Sequence, residues 1–145
     1  MDLINRIIHA LTQTHPIHPM LVHFPIALTG AGALFILLAA WRRNSALEQA
    51  AFANITLAFF GSIAAALTGM GDNMKNYDGA APNSGIKMLL ATILLIITGV
   101  TVFLRWRNPK LFESRGKVLY ITAYFTSFAL TLVLAFLGGV ILYGF

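Results

Sequence analysis

At 145 residues the chain has the length of about one domain. Only 10% of its residues are charged and 58% are hydrophobic, where a soluble domain carries roughly 25% charged residues. No cysteine is present, which excludes disulfides, thiolate metal sites, cysteine nucleophiles and thiolate-held iron–sulfur clusters within the chain. A net charge of +5 would suit nucleic acid in a polar protein. With a mean hydropathy of +0.77 the cations instead set orientation against a membrane, so nucleic acid is not an expected partner.

The sequence predicts one all-α domain over residues 1–145: an integral membrane four-helix bundle with a short N-terminal interfacial amphipathic helix. That first helix is expected over about 2–13, where Leu3, Ile4, Ile7, Ile8 and Leu11 form a helical apolar stripe and Asp2 is placed to cap it. It lacks the basic start, continuous apolar core and small-residue cleavage site of a signal peptide, and reads as a surface or docking helix. Runs of about 20 apolar residues are long enough to cross roughly 30 Å of hydrocarbon. Four such spans are expected at about 20–41, 49–70, 86–106 and 118–143. Arg42 to Glu48, Gly71 to Gly85 (with Pro82) and Arg107 to Lys117 (with Asn108-Pro109) are the connections. Their shortness makes consecutive helices antiparallel neighbours.

The first and third connections and their flanks carry seven cations, Arg42, Arg43, Arg105, Arg107, Lys110, Arg115 and Lys117, against three, Arg6, Lys75 and Lys87, on the opposite side. The positive-inside rule then puts the basic connections in the cytoplasm and both termini outside, with Trp41 and Trp106 at the inner interface.

Unusual chemistry is concentrated before and within the first span, where His15, His18 and His23 fall among Pro16, Pro19 and Pro25. A histidine that precedes a proline is biased toward extended geometry, as His15 and His18 do. Pro19 suits the first helical position, and Pro25 frees the carbonyl of Leu21. One reading is a rigid interfacial entry whose neutral imidazoles bond lipid, water or the second connection. The other is ligation by His23, with His18 and His15 as further cofactor-binding candidates, since imidazole holds haem iron, pigment magnesium, zinc or copper. The spacing matches no zinc signature. The later spans hold no histidine, so bis-histidine haem within one copy is not expected.

The segment His15-Pro16-Ile17-His18-Pro19-Met20-Leu21-Val22-His23-Phe24-Pro25-Ile26 resembles the opening motif of the bacterial membrane family known as domain of unknown function 2231. Thr68-Gly69 through Asp72 is similar to its Gly-x-x-Asp element, and Leu137-Gly138-Gly139-Val140-Ile141-Leu142-Tyr143 to its terminal Gly-Gly segment. The resemblance spans nearly the whole chain. It implies a four-helix membrane fold in the bacterial inner (cytoplasmic) membrane and, by association with cytochrome or Rieske-type modules, an electron-transfer setting. Where the family commonly has a histidine at the start of the third helix this chain has Lys87-Met88-Leu89-Leu90-Ala91, and after the final tyrosine it has Gly144-Phe145. Any second haem ligand at those positions is therefore missing.

Gly61, Ala65 and Gly69, and likewise Thr131, Ala135 and Gly139, repeat at a spacing that lets helices approach closely. Met20, Met70, Met74 and Met88 read as apolar filler rather than a copper(I) set. Asp72 and Asp78 are expected to pair with Lys75 and Lys87 on the surface, and Asn54 to bond a neighbouring helix. All five acids are expected outside the spans, which leaves a proton pump without carriers. No enzymatic motif emerges. The expected function is a small accessory subunit packing against a larger respiratory or photosynthetic electron-transfer complex, its partners being the bilayer and other membrane-protein subunits, with a homo-oligomer as a further arrangement. The alternative is a membrane redox protein in which His23 binds haem b, a chlorophyll-type pigment or a quinone.

Overall fold

The computed structural model describes residues 3–5 and 17–143, with side chains as far as residue 140. Residues 3–5 are helical; the rest of the expected interfacial helix, and His15, lie outside the described residues. Among the described residues the bundle consists of α1 (Ile17–Arg42), α2 (Ser45–Tyr77), α3 (Ser84–Arg107) and α4 (Lys117–Tyr143), with a 3₁₀ turn at Leu111–Glu113. Each is long and apolar enough to cross a membrane. α1 packs on α2 and α4, and α3 packs on the same two. One end of the bundle, where α1 and α3 finish and α2 and α4 begin, carries Arg42, Arg43, Arg105, Arg107 and Arg115; the other carries His18 and His23.

Local chemistry sets the helix ends. Asn44 caps α2, its side-chain oxygen accepting from the Ala46 and Leu47 N–H groups at 2.8 and 3.3 Å. Asn108-Pro109 stops α3 at Arg107, as its sequence predicts. α2 differs most from expectation. Gly71–Tyr77, read as connection, continues the helix, so 33 residues rise about 50 Å and the last turns project beyond the bundle. Asn73 stabilises that projection by folding the chain back: its amide donates to the Gly79 carbonyl and its oxygen accepts from the Ala81 N–H. α1 begins at Ile17, before Pro19, and His18 is helical despite preceding a proline. A proline in a first turn forgoes no intrahelical bond, and the His18 ring is held against α2. Pro25 lies buried inside α1 without ending it.

The distribution of side chains is that of a protein in lipid. Leu34, Leu57, Phe60, Leu67, Ile96, Phe103 and Phe136 face outward. Much of the buried interior is small or hydroxylated: Ala33, Ala51, Ala58, Thr29, Thr98, Thr101, Ser127 and Thr131. Lipid is as apolar as leucine, so close backbone approach and polar contacts between helices hold such a bundle together. Asn54, expected to bond a neighbour, donates instead to the Ala50 carbonyl of its own helix at 2.8 Å. Met20, Met70, Met74 and Met88 are exposed rather than filling the interior.

Candidate functional site

At the histidine end, α1 lies along the small-residue face of α2. A side chain added at Gly61 would meet Pro25 at 3.5 Å, and one at Gly69 would meet the His18 ring at 2.8 Å; Ala65, between them, is buried. The missing Cβ of Gly69 is therefore what admits the His18 ring. Thr68 gives its hydroxyl proton to the Ala64 carbonyl at 2.9 Å. Its oxygen is then an acceptor for His18 Nδ1–H at 3.2 Å. Lys87 of α3 reaches the same end, its ammonium 4.0 Å from where a Gly138 Cβ would stand.

His23 stands apart. Five residues on from His18, it is turned by about 140° around the helix and is exposed on the outside of the bundle. Its Nδ1 bonds the Pro19 carbonyl of its own helix. A carbonyl only accepts, so Nδ1 carries the proton of this bond, which leaves Nε2 as the nitrogen free to meet a partner. The structure brings His18 to Thr68 and Gly69 and does not bring His18 and His23 together. His15 lies outside the described residues. Among the described residues no group of three His, Asp or Glu side chains could hold a metal ion.

On α4, Thr131 is buried against Thr29 of α1, the hydroxyls 2.9 Å apart. One donates to the other while its partner donates to a carbonyl of its own helix. Ala135 and Gly139 are half-buried.

At the basic end the structure assembles a cluster that the sequence did not mark: Arg105 counts there only toward the positive side, and Glu48 only toward a connection. Glu48, read as part of a polar connection, lies in the first turn of α2 and is only 3% exposed. Arg105 of α3 grips it with Nε and Nη2 at 2.7 and 2.8 Å. From α4, the Tyr120 hydroxyl donates to the same carboxylate at 2.9 Å. Tyr124 lies 2.9 Å further on, and donates to Tyr120, whose own proton is committed. The Arg105 guanidinium also sits over the Phe52 ring, 5.2 Å from its centre. Both carboxylate oxygens are bonded and the charges cancel, so the cluster ties α2, α3 and α4 in register. No ion pair joins Asp72 or Asp78 to Lys75 or Lys87 among the described residues; the expected surface pairs do not form.

Residues 14–145 match the family model described as predicted membrane protein, DUF2231. The chain belongs to this family. No curated protein and no solved structure matches it. Membership confirms the resemblance carried by the His-Pro segment, and the four apolar helices agree with the family's description.

Proposed function

We propose that this DUF2231 chain is a small membrane accessory subunit that packs against a larger respiratory or photosynthetic electron-transfer complex. Its place is the bacterial inner membrane, basic end in the cytoplasm and both termini outside. The seven-to-three distribution of cations supports that orientation. The observation that carries the reading is the direction of His23. A polar ring on the outer face of a membrane helix, beside exposed Met20 and Phe24, costs free energy against lipid unless a partner's donor meets it. The interior, by contrast, is filled by helix-to-helix contacts.

A second reading, a redox protein that ligates haem b or a chlorophyll-type pigment, or bonds a quinone, through His23, is favoured by the same hydrogen bond. An imidazole held through Nδ1 by a carbonyl is oriented for ligation through Nε2. Purification of the full chain in mild detergent, with absorption spectra and identification of co-purifying subunits, separates the two. Under the accessory reading, His23→Leu loses the co-purifying subunits, whereas His23→Gln keeps them because glutamine still offers donor and acceptor atoms. Under the redox reading, His23→Gln loses a visible band while remaining folded. Wild-type protein that is colourless, yields no quinone on solvent extraction and is free of electron-transfer subunits refutes both.

A further inference from the structure

The basic end holds a second feature, which shares no lining residue with the Glu48 hydrogen bonds. The α1–α2 turn, the 3₁₀ turn and the start of α4 surround an open hollow of about 390 Å³, lined by Arg43, Ser45, Phe112, Glu113 and Lys117. That volume lies at the small end of ligand sites, roughly 300–1,000 Å³: room for a polar headgroup and not for a whole lipid. Arg43 and Lys117 against Glu113 leave the lining with one net positive charge. None of the three joins an ion pair among the described residues. The Lys117 ammonium lies over the Phe112 ring, 4.5 Å from its centre, a contact that leaves its protons available to an anion.

Arg43 is the telling residue. Its φ is +51°, a left-handed conformation that glycine or asparagine adopts more readily. The turn alone would be better served by either, so the arginine is held there against local preference. The α2 N-terminus begins immediately afterwards, at Ser45, and adds a favourable dipole for negative charge. The depth is also informative. Trp41, 76% exposed, lies two residues before Arg43, and exposed tryptophans sit at the level of lipid headgroups.

We propose that this hollow binds a phosphate ester, with Arg43 and Lys117 on the phosphate oxygens and Ser45 donating to them. Glu113 repels a purely anionic ligand and attracts one in which an ammonium accompanies the phosphate. The preferred class is therefore a phosphate linked to an amine, from either of two sources: an aminophospholipid headgroup of the surrounding leaflet, or a soluble phosphate ester of the same kind.

Native mass spectrometry of the full chain in detergent, after incubation with phosphatidylethanolamine, phosphatidylglycerol or soluble phosphoethanolamine, tests the site. The Arg43→Asn, Lys117→Gln double variant keeps a residue suited to the left-handed turn while removing both cations. It is expected to retain about tenfold less phosphatidylethanolamine than wild type, as the loss of charge-assisted hydrogen bonds implies. Lys110→Gln, which removes a cation from the same connection but not from the hollow, leaves retention unchanged. Glu113→Gln turns the preference toward phosphatidylglycerol. Displacement of the lipid by millimolar phosphoethanolamine supports the same chemistry and assigns the soluble source; resistance to it assigns the lipid. Equal retention by the double variant and wild type, with helix content and melting unchanged, overturns the proposal. So does an equal loss in Lys110→Gln, which would mark diffuse attraction between a basic surface and lipid.

Discussion

Removing one partner of the Glu48–Arg105 pair exposes what the cluster contributes. Truncating one member of a buried ion pair costs about 3–5 kcal/mol, because the survivor is left charged and unpaired. The two sides of this pair are not equivalent. The Arg105 side chain is 13% exposed and that of Glu48 4%. Orphaned by Glu48→Leu, the guanidinium has a long stem with which to reach headgroups and water, which places the cost near 3 kcal/mol. Orphaned by Arg105→Met, the carboxylate keeps only the Tyr120 hydroxyl and has no stem with which to escape, which places the cost nearer 5 kcal/mol. Replacing both by Glu48→Leu with Arg105→Met removes two desolvated charges together, which leaves the buried phenol that loses its acceptor, a cost of about 1–3 kcal/mol. Reversible unfolding of the four proteins in mixed micelles, followed by helix content, measures the cycle. The expected order of stability is wild type, then the double variant, then Glu48→Leu, then Arg105→Met. Single effects that add to the double within about 0.5 kcal/mol would show independent sites and refute the register role. A larger cost for Glu48→Leu would refute the asymmetry.

The fit of His18 over α2 predicts that Gly69→Ala, whose new Cβ would stand 2.8 Å from the ring, pushes the imidazole off Thr68 and shifts its NMR resonances. Gly61→Ala, with 3.5 Å to Pro25, is tolerated, and Gly61→Leu destabilises by about 1–3 kcal/mol through overpacking. The orientation is checked with single cysteines in a chain that has none. One at Gly85, which has no atom within 4 Å of its Cβ position, should react with a membrane-impermeant thiol reagent in intact cells, and one at Ser114 should not. The reverse pattern inverts the topology.

The architecture was legible because the bilayer imposes it: a span must be about 20 apolar residues long, and its ends must be polar. The upper limit of a helix is not so constrained. Beyond Met70 nothing apolar is required, and Gly71, Asp72 and Asn73 read as a turn. The chain nevertheless remains helical until Asp78 and Gly79 adopt left-handed geometry. A cap supplied by Asn73 across eight residues to Ala81 leaves no local mark that separates it from an ordinary polar loop.

The cluster at the basic end was hidden for a different reason. Charges at the end of a span are read as topology, so Arg105 counted toward the positive side and Glu48 toward a connection. Apolar periodicity could not correct this, since lipid and protein interior accept the same side chains. The helical spacing of one set of hydroxyls carries the signal. On α4, Tyr120, Tyr124, Ser127 and Thr131 recur at spacings of four, three and four, and all four are buried, while Val118, Leu119, Phe125, Leu132 and Phe136 face outward. In water that spacing would mark the solvent face; in lipid it marks the interior, where Tyr120 and Thr131 bond across to other helices, while Thr122 and Thr126 lie off that face and are exposed, Thr122 bonding the Val118 carbonyl of its own helix. Reading α4 this way puts Tyr120 and Tyr124 in the core at the basic end. Two buried phenols one turn apart need an acceptor there, and Glu48 is the acid at that end whose helix packs into the bundle. The ion pair then follows from the phenols rather than from counting charges.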